Sequence, residues 1–130
     1  MKTNHRIITK VYIVEDSPAI RSRLIESLSL IDSVCIVGEA DTPAQAISGI
    51  LETQPDCVVL DFQLIGGTGV EVVREIHPLK PEIAFVVITN HPNPQYRRVC
   101  IEAGAQEFFD KSTEFDKVKE VISNLAISPS

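Results

Sequence analysis

The sequence predicts a doubly wound α/β domain, and three observations carry that prediction. Apolar, β-branched runs of strand length alternate with segments of helical periodicity along the chain. Three of the helical segments open on the same signal, a capping side chain followed by proline: Ser17-Pro18, Thr42-Pro43 and Asn93-Pro94. The connections are short, and no linker, repeat or low-complexity segment interrupts the alternation. Such alternation specifies a parallel sheet with helices on both faces, joined by right-handed crossovers.

The elements follow in order. Residues 10–15 form the first predicted strand, ending in the acidic pair Glu15-Asp16. Ser17 caps a helix whose inner face is Ile20, Leu24, Leu28 and Ile31, with Arg21, Arg23 and Glu26 facing out. A second strand, Val34 to Val37, is expected to close at Gly38. The helix after Thr42-Pro43 turns Ala46, Ile47, Ile50 and Leu51 inward. The third strand, through Val58-Val59-Leu60, is apolar enough to be buried on both faces and stops at Asp61. Beyond the turn Gly66-Gly67-Thr68-Gly69, Thr68 can cap a third helix carrying Val70, Val73 and Ile76 and ended by His77-Pro78. Ile83 to Ile88 is a fourth buried strand, ending at Thr89. Tyr96, Val99, Cys100 and Ala103 stripe the fourth helix, which Gly104 stops. Gln106 to Phe109 is a short fifth strand before Asp110-Lys111. A last helix presents Phe115, Val118, Val121, Ile122 and Leu125, and the tail from Ile127 to Ser130 is expected to fray.

With 130 residues the chain has the length of one domain with a real core. Its 44% apolar and 23% charged residues are those of a soluble globular protein. A net charge of −6 argues against direct contact with nucleic acid. No apolar run approaches the roughly 20 residues that span a bilayer. Met1 to Lys10 offers only Ile7 and Ile8 as an apolar pair, too little for a signal peptide. Cys35, Cys57 and Cys100 lie in or beside apolar runs and are expected to be buried free thiols, which suits the cytoplasm. With no CxxC pair and scattered histidines, a cysteine metal site is not expected.

Parallel sheets bring their C-terminal strand ends to one edge, where α/β folds place ligand sites. Glu15 and Asp16 follow the first strand, Asp61 ends the third, Thr89 ends the fourth and Lys111 follows the fifth. The fold therefore gathers three carboxylates, a hydroxyl and an ammonium around one pocket. Any one of these residues alone reads as a solvated loop residue; their joint placement points to a site. Clustered carboxylates raise one another's pKa unless a cation sits among them. Lys111 is one candidate and a divalent ion another, and an oxygen-only donor set suits Mg²⁺. An ionised Asp61 beside Mg²⁺, Thr89 and Lys111 is a nucleophile suited to phosphorus, giving an aspartyl phosphate.

On these residues the chain resembles the receiver domain of two-component response regulators. The matching motifs are Val14-Glu15-Asp16-Ser17, Val58-Val59-Leu60-Asp61, Val87-Ile88-Thr89 and Phe108-Phe109-Asp110-Lys111, with Gly69 at a family glycine. The resemblance implies a CheY-like, flavodoxin-like fold, a five-stranded sheet of order 2-1-3-4-5 with five helices. It implies a single receiver domain over residues 1–130, with a core of about 8–127. Asp61 is then the phosphoacceptor for a sensor histidine kinase or phosphotransfer protein in the cytoplasm. Mg²⁺ is implied at Asp16, at Glu15 through water, at Asp61 and at the backbone carbonyl of Gln63, with Thr89 and Lys111 on the phosphoryl oxygens. Thr89 and Phe108 would form the switch, although Phe108 also reads as an ordinary core residue. The readout would be the face of the fourth helix, fifth strand and fifth helix, including Tyr96, Arg97, Arg98 and Phe108. That face would bind a partner or form a homodimer on phosphorylation. The family implies no direct nucleic-acid or membrane contact by this domain, and no catalysis beyond its own phosphorylation and dephosphorylation.

Several positions depart from the family pattern. Glu15 replaces the commoner aspartate, and its longer arm should still reach a metal-bound water. Ser112 stands where many receivers have proline, which leans toward members with helix-turn-helix output domains. Ile65 likewise replaces a usual proline. Asn90 replaces a small residue and is expected to narrow access to Asp61. Gln63 and His91 lie where receivers tune hydrolysis, though His91 reads more simply as a loop histidine. Pro92 and Pro94 should stiffen the loop before the fourth helix.

Other readings are the receiver half of a DNA-binding regulator, a scaffold with an idle pocket, and a stand-alone Mg²⁺-dependent phosphotransferase or phosphatase. That last chemistry commonly needs a second acid where Gln63 stands. A nucleotide site would need GxxxxGK[ST] or GxGxxG, and neither is present.

Overall fold

The computed structural model describes residues 8–127. The chain runs β1 (Thr9–Val14), α1 (Pro18–Ser29), β2 (Val34–Ala40), α2 (Pro43–Thr53), β3 (Cys57–Asp61), β4 (Gln63–Leu64) and β5 (Gly67–Thr68). It continues through α3 (Gly69–Ile76), β6 (Ala84–Thr89), α4 (Pro94–Ala103), β7 (Glu107–Asp110) and α5 (Phe115–Ile127). Five strands form one sheet of order β2-β1-β3-β6-β7, every pair parallel. β4 and β5 are a separate antiparallel ribbon. With that ribbon set aside, the order is the expected 2-1-3-4-5.

The period-2 alternation of the strands sorts their side chains into two clusters. Tyr12, Val14, Val58, Leu60, Phe85 and Val87 face α2, α3 and α4. Val11, Ile13, Val59, Val86 and Ile88 face α1 and α5. Each fully buried aliphatic side chain contributes roughly 1.5–3 kcal/mol, so β3, buried at all five positions, anchors the sheet. The strand order reverses between β1 and β3, and the crevice at their C-terminal ends is the topological switch point of such folds.

The caps form as the sequence suggests. Ser17 Oγ accepts from the Ile20 N–H at 3.3 Å, Thr42 Oγ1 from Gln45 at 3.2 Å and Asn93 Oδ1 from Tyr96 at 2.9 Å. The Thr68 N–H donates to Glu71 Oε2 at 2.9 Å, half of a capping box.

Some expectations fail, each for a tertiary reason. β2 does not stop at Gly38 but continues to Ala40, because Gly38 leaves room for the Tyr12 ring where a Cβ would meet it at 2.5 Å. The register shifts there, so the strand bulges rather than ends. Cys35 is exposed: it lies on the edge strand, with a sheet neighbour on one side only. Cys57 and Cys100 are buried, and burial pushes their thiols up to about 12 and about 11, out of the reactive range. Leu51 is exposed, because the buried stripe of α2 is Pro43, Ala46 and Ile50 and a residue beyond Ile50 turns away from it. Arg21 does not face out but folds back on the first strand's end. Ile127 is the last residue of α5, while the rest of the expected frayed tail, and most of the segment judged for a signal peptide, lie outside the described residues. No helix among the described residues is long and apolar enough to cross a membrane.

Candidate functional site

β3 delivers Asp61 to the sheet edge with its backbone fixed on both sides. The next residue, Phe62, donates its N–H to the Ile88 carbonyl at 2.9 Å and accepts from the Gly69 N–H at 2.8 Å. Gly69 must be glycine, since a Cβ there would sit 2.3 Å from the Asp61 carbonyl oxygen. The Asp61 carboxylate is clamped too. Its Oδ1 accepts from the Gln63 N–H at 3.1 Å, and its Oδ2 accepts from Lys111 Nζ at 2.8 Å. Two different donors, one per oxygen, leave the carboxylate one orientation.

Glu15 is fully buried beside it. Its Oε2 accepts from the Ser17 N–H at 3.0 Å, and Lys111 Nζ lies 2.9 Å from its Oε1. That second contact is a buried ion pair, so Lys111 is shared between Glu15 and Asp61. Glu15, Asp16 and Asp61 each bring a carboxylate oxygen within 4.8 Å of the others. Lys111 is itself held from β6, its N–H donating to the Thr89 carbonyl at 2.8 Å. Thr89 is buried, and its Oγ1 accepts from the His91 N–H at 3.1 Å. Asn90 and His91 are exposed beside it.

The charges obey this geometry. Burial raises the Asp61 and Glu15 carboxyls, and the Lys111 contacts pull against that rise without cancelling it. Burial depresses the Lys111 ammonium, but its contacts with Asp61 and Glu15 outweigh that and leave it raised. One ammonium thus pairs with two of the three clustered carboxylates, Glu15 and Asp61, and the pocket keeps a surplus of negative charge. An all-oxygen donor set with surplus negative charge suits a hard divalent cation.

Residues 15, 16, 61, 89 and 111 thus come together. Gln63 joins them through its N–H on Asp61 and is itself exposed, paired with Thr68 in the ribbon. Phe108 is apart from them, buried under α4, with its carbonyl accepting from Arg97 at 3.4 Å. It is not a surface residue in this structure, whereas Arg97 and Arg98 are exposed.

Three groups of supporting contacts escaped the sequence. Arg21 donates through its terminal nitrogen to the Glu15 carbonyl at 2.7 Å and through Nε to Glu39 Oε1 at 2.8 Å, bracing the acidic turn from α1 and β2. Asp110 Oδ1 accepts from both the N–H and Oγ of Ser112, and the Asp110 N–H donates to Glu114 Oε1 at 3.0 Å. This Asx-type turn holds the backbone after Lys111, where many receivers have proline, and no peptide bond among the described residues is cis. Phe62 stacks on Tyr96. The only signal for the second was Asp-Lys-Ser itself, a turn-forming set. Periodicity turned Arg21 outward, and it placed Tyr96 on the inner stripe of its helix, as found, without naming Phe62 as its partner.

The family model of the response regulator receiver domain matches residues 11–123. The chain belongs to this family. A Pseudomonas aeruginosa protein named as a transcriptional regulator is 36% identical over 104 residues, covering 80% of this chain and 50% of that protein. The transcriptional regulatory protein NarL of Mycobacterium tuberculosis is 32% identical over 114 residues, covering 87% of this chain and 53% of its own. The solved signal receiver domain of NarL from that organism superposes with a TM-score of 0.84 at 27% identity, covering 92% of this receiver and 96% of that chain. The receiver spans about half the length of the curated relatives it matches.

Proposed function

We propose that Asp61 is the phosphoacceptor of this receiver, charged by a phosphohistidine on a sensor kinase or phosphotransfer protein with Mg²⁺ in the acidic pocket. The observation that carries this reading is the place of Lys111. Its Nζ touches Asp61 Oδ2 at 2.8 Å and Glu15 Oε1 at 2.9 Å, where three carboxylates converge. Asp16 and Asp61 would hold Mg²⁺ directly, Glu15 through water and Gln63 through its carbonyl. The ion supplies charge neutralisation for the phosphoryl oxygens.

The chain's own residues do the rest. An Asp61 oxygen forms the new O–P bond as the donor's N–P bond breaks, and that electron pair returns to the donor imidazole. Lys111 moves its proton-bearing head from carboxylate to phosphoryl oxygen. Thr89 Oγ1 already accepts from His91, so its own O–H is left to donate. Each new charge-assisted bond contributes about 1.5–3 kcal/mol, enough together to invert a two-state population. Thr89 and Phe108 form the switch, with the α4–β7–α5 face binding a partner or a second copy.

Both relatives described above are named as regulators of transcription, so transcription control is the output we favour. We read residues 1–130 as a single receiver domain with a core of about 8–127, working in the cytoplasm, where the reduced thiols Cys57 and Cys100 are at home. No reaction is assigned to it beyond its own phosphorylation and dephosphorylation.

The test is to incubate the protein with Mg²⁺ and acetyl phosphate and weigh it intact. The parent should gain one phosphoryl mass; Asp61→Asn and an EDTA-treated sample should not. No gain from acetyl phosphate or from a phosphorylated kinase overturns the reading. In the same assay Asn90→Ala should label faster, because the exposed amide beside Thr89 screens small donors. Equal rates would remove Asn90 from the account.

A further inference from the structure

The first turn of α4 is tied to the pocket by two routes. One follows the chain: Thr89 Oγ1 accepts from the His91 N–H, and the next residues lead straight into the capped turn that holds Tyr96. The other crosses space. The ring of Phe62, the residue after Asp61, stacks on the ring of Tyr96 with centroids 4.3 Å apart and planes 18° from parallel. The Phe62 backbone is pinned to β6 and α3, as described above, so its ring reports the position of the β3 end. Together the routes close a ring from Asp61 through Tyr96 back to Thr89. If Thr89 moves toward a phosphoryl group, the α4 turn cannot follow without sliding Tyr96 across Phe62.

We infer that Tyr96 is a positioning residue for Asp61, acting through Phe62, and that this stack carries the state of Asp61 to α4 by a route separate from Phe108. The inference rests on Asp61 being the phosphoacceptor. Aromatic stacking of this kind changes an equilibrium by roughly three- to tenfold, enough to bias a helix position without locking it. Linkage makes the effect reciprocal: a partner that shifts Tyr96 alters the pocket's affinity for a phosphoryl mimic by the same factor.

The composition supplies the probe. The chain has two tyrosines and no tryptophan, so in Tyr12→Phe all tyrosine emission and near-ultraviolet tyrosine dichroism come from Tyr96. Tyr12 gives up only a 3.4 Å bond to the Glu39 carbonyl. This protein is phosphorylated by either donor above, and the Tyr96 signal is followed beside the intact mass. The signal should change in step with the mass, and Phe62→Leu should cut that change to roughly half or less. Tyr96→Leu should shift the lifetime of the phosphoryl group by roughly three- to tenfold, while Tyr96→Phe, which keeps the ring, stays within about twofold of the parent. A phosphorylated protein with an unchanged Tyr96 signal overturns the inference and leaves Asp61 as acceptor. So does a Phe62→Leu variant that keeps the full Tyr96 signal change together with a Tyr96→Leu variant that keeps the parent's phosphoryl lifetime, even where both melt earlier. Failure to label with either donor overturns the phosphoacceptor reading as well.

Discussion

Lys111→Met should lower the unfolding free energy by about 3 kcal/mol at neutral pH without Mg²⁺, a fall in Tm of roughly 10 °C for a domain of this size. The side chain is 6% exposed and faces two carboxylates, so its loss strands buried negative charge rather than a surface pair. The pH dependence identifies the cause. Burial holds the Asp61 and Glu15 carboxyls above their ordinary values even with Lys111 present. A carboxyl whose folded pKa exceeds its unfolded one destabilises increasingly as pH rises through that interval, and not at all below it. Without Lys111 the interval widens upward. The deficit of the variant against the parent should therefore shrink as pH falls from neutral toward the ordinary carboxylate range. The raised ammonium of Lys111 acts at the other end: its stabilisation is full below the ordinary lysine pKa and is lost as pH rises through the folded value. Mg²⁺ should restore part of the loss and raise the Tm of the variant more than that of the parent. Denaturant melts across pH, with and without Mg²⁺, measure this. A variant as stable as the parent at neutral pH would remove Lys111 from its role as the pocket's counter-charge.

Gly69→Ala should destabilise by about 2–3 kcal/mol and slow phosphoryl uptake by roughly tenfold or more. The added methyl would lie 2.3 Å from the Asp61 carbonyl and 3.3 Å from a Leu60 methyl. A backbone oxygen cannot rotate aside as a side chain can, so the end of β3 and the start of α3 must separate. The Gly69 N–H bond to the Phe62 carbonyl is the first to be lost. Gly66→Ala is the control. A Cβ there meets nothing within 4 Å, but φ is +82°. That backbone strain should cost about 1 kcal/mol without displacing Asp61, so uptake should be unchanged. Thermal melts and the rate of mass gain separate the two. If Gly69→Ala labels at the parent's rate, the close approach to Asp61 has no bearing on the site.

The pocket residues are legible in the sequence for a topological reason. In a parallel sheet every strand ends on the same edge, so Glu15-Asp16, Asp61, Thr89 and Lys111 could be placed together once the strands were placed. The caps are legible because they are local: Ser17, Thr42 and Asn93 act within three residues of themselves. Leu51 misled because periodicity gives the centre of a helix's buried stripe better than its edge. Cys35 misled because an apolar run does not announce that it will be an edge strand.

The sequence by itself determined the alternation of elements, the parallel sheet, the helix starts and which polar residues meet at the strand ends. All of these follow from short-range periodicity and from rules of chain connection. Only the tertiary structure decided that Arg21 turns back onto the Glu15 carbonyl, that β2 bulges around Tyr12, and that Tyr96 lies on Phe62. Contacts of this second kind join neighbouring elements at separations of a few ångströms. Periodicity fixes the face a residue shares, whereas the rotation and offset of one packed element on another fix what that face touches.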